Sequence, residues 1–154
     1  MNPTPPRRKR IRLPLQDYHS KAWYFVTICC KDKKPRFIDP AVRSLVVKVL
    51  RTTATSLSVE LAAYTVLPNH VHFICSAGEK GVVGFVQAFK SRSALELKKC
   101  GEQASPWQRS FFDRKIRSTE SERRKCEYVW MNPVRKGLVR RMEDYPWSGA
   151  LLTG

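Results

Sequence analysis

The chain has 154 residues, of which 42% are hydrophobic, so it is long enough for one domain with an ordinary core. It carries 29 Lys and Arg against 13 Asp and Glu, a net charge of +16. Such a one-sided excess usually serves a polyanionic partner, nucleic acid first and an acidic membrane surface second. No apolar run approaches the roughly 18–20 residues of a membrane span. We therefore expect a nucleic-acid partner and no membrane.

The basic N-terminal segment, MNPTPPRRKRIRLP, has no apolar stretch behind its charge, so we do not expect it to be a signal peptide. Proline and arginine dominate it, which predicts a disordered arm over residues 1–16 ahead of a single domain over 17–154. The arm's cations are predicted to contact phosphate, with a solubilising tail as the alternative. They are Arg7, Arg8, Lys9 and Arg10.

The elements follow in chain order. Their β-branched and aromatic content predicts strands at 23–30, 59–67, 70–75 and 109–117. Helical spacing of apolar residues predicts helices at 41–55, 82–99 and from 118 onward, the last stopped or kinked by Pro133. The tail after residue 137 is short and mixed. This order predicts an α+β fold of the ferredoxin-like (split β-α-β) kind: an antiparallel sheet with helices on one face plus a C-terminal helix.

The cysteines form no CxxC pair and are odd in number, which argues against a zinc cluster and against a secreted disulfide framework. They are Cys29, Cys30, Cys75, Cys100 and Cys126, and most lie inside apolar segments. We predict reduced, packed thiols in a cytoplasmic protein.

Two of the three histidines, His70 and His72, lie two residues apart in LPNHVHFIC. On a strand they point to the same face, while Val71 and Phe73 point into the core. Two imidazoles on an open sheet face can share one cation such as Mn, Fe or Zn, or Mg when oxygen ligands complete the sphere. The spacing alone is a weak signal, and the alternative is a pair of solvent-facing residues that bind nothing.

The last predicted helix carries KCEYVWMNPVRKGLV. Tyr128 lies off its predicted packing stripe, and Asn132 is four residues later, so the two can share a face. Pro133 biases Asn132 away from helical geometry. If this helix packs beside the sheet edge that holds the histidines, two imidazoles, an amide and a phenol meet.

At these residues the chain resembles a known family. LPNHVHFI is similar to the His-hydrophobic-His ("HUH") motif of single-tyrosine DNA transposases. The segments WQRSFFDRKIR, YVWMNPVRKGLV and YPWS, in that order, resemble the REP-associated tyrosine transposases. The resemblance runs from about Trp23 to Ser148. One position departs from it, because relatives often have a histidine where this chain has Arg114.

This resemblance implies a metal-dependent nuclease and strand transferase that acts on single-stranded or hairpin DNA. His70 and His72 would bind Mg²⁺ or Mn²⁺, and Asn132 stands where related enzymes draw a third, amide ligand. Tyr128 would attack the scissile phosphorus, form a 5′-phosphotyrosine link and leave a free 3′-OH. The metal's identity, and whether the unit is a monomer or a homodimer, stay open.

Further cations lie in segments that could flank the open sheet and are predicted to contact DNA phosphates. They are Lys90, Arg92, Arg114, Lys115, Arg117, Arg135 and Lys136. Trp107 and Phe112 are candidates for stacking on a base, although core packing is the commoner role of such residues.

Two other functions are compatible with the sequence. One is a binding module for single-stranded DNA or RNA hairpins that uses the same fold without chemistry. The other is a metal-dependent phosphoesterase that acts through water, with Tyr128 merely packed. Only the tyrosine nuclease predicts a covalent protein–DNA adduct.

Overall fold

The computed structural model describes residues 22–117 and 119–150. Five strands and three longer helices alternate along them. They are β1 (Trp23–Cys29), α1 (Pro40–Ser56), β2 (Leu61–Leu67), β3 (His70–Cys75), α2 (Gly81–Lys99), β4 (Phe112–Ile116), α3 (Thr119–Arg135) and β5 (Ser148–Ala150). The predicted arm, with Arg7, Arg8, Lys9 and Arg10, lies outside the described residues.

The strands form one antiparallel sheet in the order β4-β1-β3-β2-β5. The first four strands have the split β-α-β arrangement, so the predicted fold class is confirmed. β5 adds a fifth strand at the free edge of β2, which the sequence prediction missed.

Alternation along the strands gives the sheet two different faces. Val71 and Phe73 of β3 point into the larger core, together with Val26 of β1. Residues of α1 and α2, such as Val46 and Phe85, cover this face. Asp39 begins α1 by accepting a hydrogen bond from the Ala41 backbone N–H at 2.9 Å, a common N-cap. The two helices therefore form a single layer on one side of the sheet.

The other face carries the histidines, and α3 lies across it. Cys126 and Val129 of α3 pack with Phe25, Ala63 and Ile74 in a smaller core. The expectation of an open face, with the helix beside the sheet edge, was therefore wrong. An apolar patch of this kind is stable only when it is covered, and α3 supplies the cover.

Pro133 does not stop α3, which continues to Arg135. Proline removes one backbone donor from a helix interior, so it is usually excluded there. Here Pro133 is buried. The helix therefore carries Asn132 in helical geometry despite the proline that follows it.

The YPWS segment holds the tail against both β2 and α1. The Tyr145 hydroxyl donates to the Val66 carbonyl at 2.6 Å, and the Trp147 indole N–H donates to Ser44 Oγ at 3.0 Å. A Cβ at Gly149 would lie 2.7 Å from the ring of Tyr64, so only glycine lets β5 approach β2 this closely. These contacts explain why a segment without a clear strand pattern becomes β5.

All five cysteines are free, and Cys30, Cys75 and Cys126 are buried. Burial raises the pKa of the Cys30 thiol to about 12, which makes it a poor nucleophile. The prediction of packed thiols is confirmed for these three, whereas Cys100 is exposed. Among the described residues, no helix is both long and apolar enough to span a membrane.

Candidate active site

A polar row crosses the middle of the histidine face. Thr27 of β1 and Thr65 of β2 both pair with His72 of β3, and Ser148 of β5 pairs with Thr65. The Ser148 hydroxyl is within hydrogen-bonding distance of Thr65 Oγ1. Because directly paired residues share a face, the register brings four polar side chains from four strands into one line.

His70 and His72 meet through their rings. Their Nε2 atoms lie 3.0 Å apart, and the ring planes are nearly perpendicular, at 81°. The remaining nitrogen of each ring has its own partner: His70 Nδ1 lies 2.7 Å from Asn69 Oδ1, and His72 Nδ1 lies 2.9 Å from Thr27 Oγ1. The two Nε2 atoms therefore lie at hydrogen-bonding distance from each other, while neighbouring side chains contact the other nitrogen of each ring.

Burial and positive charge keep both imidazoles neutral. The pKa of His70 falls from 6.5 to about 4, chiefly through burial and further through Lys136 and Lys33. Burial also lowers the pKa of His72 well below its usual value, and His70 and Lys136 add to the effect. A neutral imidazole offers a lone pair, which is the form that binds metal.

Tyr128 lies at the edge of this pair and is 40% exposed. The centroid of its ring is 6.4 Å from that of His72 and 6.4 Å from that of Phe25, which itself stacks on His72. The guanidinium of Arg135 lies 5.1 Å from the centroid of the Tyr128 ring. A phenol that is accessible to solvent, next to two imidazoles and a cation, can reach a large anionic substrate.

Asn132 is only 1% exposed, so the expectation that it lies off the packing face was wrong. Its Oδ1 atom is buried and has no hydrogen-bond partner in the described part of the chain. A buried carbonyl without a partner is costly, on the order of 1–3 kcal/mol. Such an atom in a folded protein needs an explanation, and an absent ligand is one.

These residues fit a divalent cation. The described residues hold no cluster of three or more His, Cys, Asp or Glu side chains, so an all-protein site of that kind is absent from ranges 22–117 and 119–150. Two neutral imidazoles and one amide oxygen leave room for water or phosphate oxygens, which Mg²⁺ and Mn²⁺ prefer. His70, His72 and Asn132 would hold the ion.

The predicted phosphate-binding cations divide between the two sides of the molecule. Arg135 and Lys136 lie at the C-terminal end of α3, and Arg114 pairs with Phe25 on the histidine face. Arg114 is exposed where relatives often have a histidine, with its guanidinium 5.9 Å from the Phe112 ring centroid. Lys115 alternates to the opposite face of β4, and exposed Arg117 follows that strand.

Lys90 and Arg92 lie in the helical layer instead. The Lys90 ammonium donates to the carbonyl of Gln108 at 2.5 Å and to that of Arg109 at 3.1 Å. Arg92 Nη1 donates to Ser56 Oγ at 2.8 Å. Both side chains form hydrogen bonds to segments that are distant in the sequence. Phosphate contact by Lys90 or Arg92 stays a prediction.

The two base-stacking candidates are both packed against the protein. Trp107 is 5% exposed and donates from its indole N–H to Ser93 Oγ at 2.8 Å. Phe112 packs in the smaller core beside Phe25. Trp107 is therefore a core residue, whereas Phe112 is partly buried at the edge of the smaller core.

Sequence reasoning missed three residues around the histidines: Asn69, Thr27 and Lys33. The position of Asn69 directly before His70 is a usable signal. The contacts of Thr27 and Lys33 depend on strand register and loop path. No local pattern in the sequence reveals such contacts.

The fold and site define a class of protein. The chain belongs to the family described as "Transposase IS200 like", whose family model matches residues 18–131. This match covers the β3 histidines and Tyr128 and ends one residue before Asn132. The resemblance drawn from the sequence motifs is confirmed.

Within this class the chain is similar to the REP-associated tyrosine transposase of Escherichia coli K12. The two are 28% identical over 129 residues, which cover 82% of this chain and 74% of the relative. It is also similar to a Haemophilus influenzae protein of uncharacterised function, at 25% identity over 159 residues, covering 82% of this chain and 88% of that one.

Two solved structures share the fold. One is a REP-associated tyrosine transposase bound to a REP hairpin, with a TM-score of 0.69, 23% identity, and coverage of 82% of this chain and 75% of the other. The second is a crystal structure of a Deinococcus radiodurans protein, with a TM-score of 0.56, 24% identity, and coverage of 79% and 95%.

Proposed function

We propose that this transposase-family protein is a metal-dependent endonuclease and strand transferase for single-stranded DNA, with Tyr128 as its nucleophile. The observation that carries the proposal is the position of the exposed Tyr128 ring beside His72, at 6.4 Å between centroids. The same helix buries the partnerless Oδ1 of Asn132. A nucleophile beside two imidazoles, with a third candidate ligand on the nucleophile's own helix, supports a site for phosphoryl transfer.

The chemical step exchanges one phosphoester for another. The Tyr128 hydroxyl oxygen bonds to phosphorus, the bond from phosphorus to the 3′-oxygen breaks, and the product is a 5′-phosphotyrosine and a free 3′-OH. The phenolic proton is lost and the departing 3′-oxygen gains one, so water is neither consumed nor released. The energy of the broken ester is retained in the new bond, so a later 3′-OH can reverse the step and join strands.

A bound Mg²⁺ or Mn²⁺ would supply Lewis-acid stabilisation of the scissile phosphate and would orient it. The protein's own residues supply the remainder. Arg135, 5.1 Å from the Tyr128 ring, provides positive charge where the phosphate approaches. His70 and His72 are neutral near pH 7, so each ring keeps one nitrogen lone pair.

We propose a DNA hairpin with adjoining single-stranded DNA as the substrate. One solved structure of the same fold is described as bound to a REP hairpin, and this chain's net charge of +16 favours a polyanion. The proposal includes a cytoplasmic location, which suits five free cysteines. It leaves both a monomer and a homodimer open.

The test is covalent capture. The protein is incubated with a 5′-labelled hairpin oligonucleotide, whose sequence is taken from repeats that flank its gene. Cleavage of this oligonucleotide releases a short labelled fragment that ends in a 3′-OH. A second preparation carries the label 3′ of the cleavage site. With Mn²⁺ or Mg²⁺, we expect the 3′-labelled DNA to migrate with the protein on a denaturing gel. The 5′-labelled DNA should shorten without becoming attached.

Tyr128→Phe is expected to abolish the adduct while retaining hairpin affinity within about twofold, because only the hydroxyl is removed. Tyr64→Phe is the matched control, since its ring packs beside Gly149 near the sheet edge, away from Tyr128. It should give the wild-type yield. Cleavage that persists in Tyr128→Phe without an adduct would indicate water as the nucleophile. Binding without cleavage in any metal would indicate the non-catalytic hairpin-binding module.

A further inference from the structure

We propose that Asn69 fixes the tautomer of His70, so that Nε2 of His70 carries a lone pair before any cation binds. Thr27, in contrast, allows His72 to change its tautomer when a cation binds. This inference rests on the proposed function, because it assigns both imidazoles to a divalent ion. It adds two positioning residues, one beside each histidine, that do not themselves touch the ion.

The orientation of the Asn69 amide follows from its two partners. Its Nδ2 atom lies 3.3 Å from the Lys33 carbonyl oxygen, which can only accept a hydrogen bond. The amide NH₂ therefore faces Lys33, and Oδ1 faces His70 Nδ1 at 2.7 Å. Since Oδ1 also only accepts, the hydrogen of neutral His70 must be on Nδ1.

The tautomer of His70 determines which nitrogen of His72 carries the hydrogen. His70 Nε2 is then an acceptor, and it lies 3.0 Å from His72 Nε2. Two acceptors do not share a hydrogen bond, so His72 Nε2 carries the hydrogen and donates it. His72 Nδ1 is left as an acceptor, and the Thr27 hydroxyl donates to it at 2.9 Å. The result is one directed chain from Thr27 through both rings to Asn69.

The two histidines therefore differ in their readiness for a cation. His70 already offers its Nε2 lone pair, and Asn69 holds that state as an outer partner of a metal ligand does. His72 must move one proton from Nε2 to Nδ1, with no net gain or loss. The Thr27 hydroxyl permits this, because it can turn and accept from Nδ1–H. A carboxylate at position 27 could only accept, and an amide would have to turn over completely to exchange its donor for its acceptor.

The first experiment needs no metal. Long-range ¹⁵N–¹H correlation spectra of histidine-labelled protein in chelator distinguish the two neutral tautomers of each ring. We expect Nδ1–H for His70 and Nε2–H for His72. In Asn69→Leu, His70 should lose its single tautomer. A wild-type His70 with its hydrogen on Nε2 would overturn the inference.

The second experiment measures Mn²⁺ affinity by electron paramagnetic resonance in the absence of DNA. Asn69→Leu is expected to weaken binding about 10- to 100-fold, the usual effect of losing an outer partner. Asn69→Asp keeps an acceptor and should remain within about threefold of wild type. Thr27→Val should weaken binding by at least about tenfold, and Thr27→Ser should restore it. Thermal unfolding in chelator verifies that each variant folds.

The outcomes separate the two proposals. Wild-type protein that binds no Mn²⁺ overturns the metal part of the proposed function, and this inference with it. Wild-type binding that Asn69→Leu leaves unchanged overturns this inference alone. If Asn69→Leu fails to fold, the inference is tested by the wild-type spectra and by the Mn²⁺ affinities of Thr27→Val and Thr27→Ser.

Discussion

Tyr128 and Asn132 are one helical turn apart on α3, yet 40% of Tyr128 is exposed and only 1% of Asn132 is. Four residues rotate a helix by about 40° beyond a full turn, so the two side chains leave it in similar directions. The Asn132 side chain is buried, whereas the Tyr128 ring lies near the rings of Phe25 and His72 and stays partly open to solvent. The amide is thereby held rigidly, whereas the phenol stays accessible to a bulky substrate.

Asn132→Leu is expected to raise the stability of the protein while lowering its affinity for metal. The substitution removes a buried carbonyl that has no partner, so the free energy of unfolding in chelator should rise by about 1 kcal/mol. Mn²⁺ affinity should fall at least about tenfold, because an oxygen ligand is lost. Urea denaturation and metal titration measure the two effects. A loss of stability would mean that Asn132 Oδ1 is satisfied within the protein.

Arg135→Ala and Arg92→Ala test which side of the molecule binds DNA. Arg135 lies beside Tyr128, whereas Arg92 donates to Ser56 in the helical layer. If DNA lies on the histidine face, Arg135→Ala should lower the log–log salt slope of hairpin binding by about 1, and Arg92→Ala should leave it unchanged. Affinities measured at several salt concentrations give the slope. The reverse result would place the DNA against α1 and α2.

Lys90→Met should act chiefly on stability. Its ammonium satisfies the carbonyls of Gln108 and Arg109, which lie just before β4. Losing a charged donor to such groups costs about 1.5–3 kcal/mol, so the midpoint of urea unfolding should fall. Hairpin affinity, measured where both proteins are folded, should change less than in Arg135→Ala. A large loss of affinity at unchanged stability would instead support phosphate contact by Lys90.

Stability without metal should fall as the pH is lowered from about 6.5 to about 4. The unfolded chain protonates His70 near its ordinary pKa of 6.5, whereas the folded protein does so only near 4. Between these values the unfolded state binds more protons, so the free energy of unfolding decreases with falling pH, by up to about 3 kcal/mol. The pKa of the neighbouring His72 is also lowered, so His72 adds to the same pH dependence. The positive charge of Lys136 contributes to both lowered pKa values, and that of Lys33 contributes to the pKa of His70.

The control for this pH effect is His70→Gln, which removes one of the two titrating rings and should make the decline between pH 6.5 and about 4 smaller, leaving the part due to His72. Urea unfolding in chelator at three or four pH values measures it. An equal decline in wild type and His70→Gln would assign the effect to other groups.

Much of the fold could be predicted from local sequence. The bounds of β3, His70–Cys75, agree with the predicted strand, and those of α1 and α2 differ from their predicted helices by at most one residue at each end. Strong periodicity and clear turn signals account for this agreement. β5 was missed, because Ser148–Ala150 becomes a strand through long-range contacts: Tyr145 with Val66, and Gly149 against Tyr64.

The sequence by itself determined that His70 and His72 share a face, because side chains alternate along a strand. It also indicated Tyr128 and Asn132 on one helix, through motif and spacing. Only the tertiary structure decided that α3 covers the histidine face, that Asn132 is buried, and that Asn69 and Thr27 hold the two rings. The physical reason is that burial and hydrogen-bond partners depend on how distant segments pack, whereas direction along a strand or helix depends on the local backbone alone.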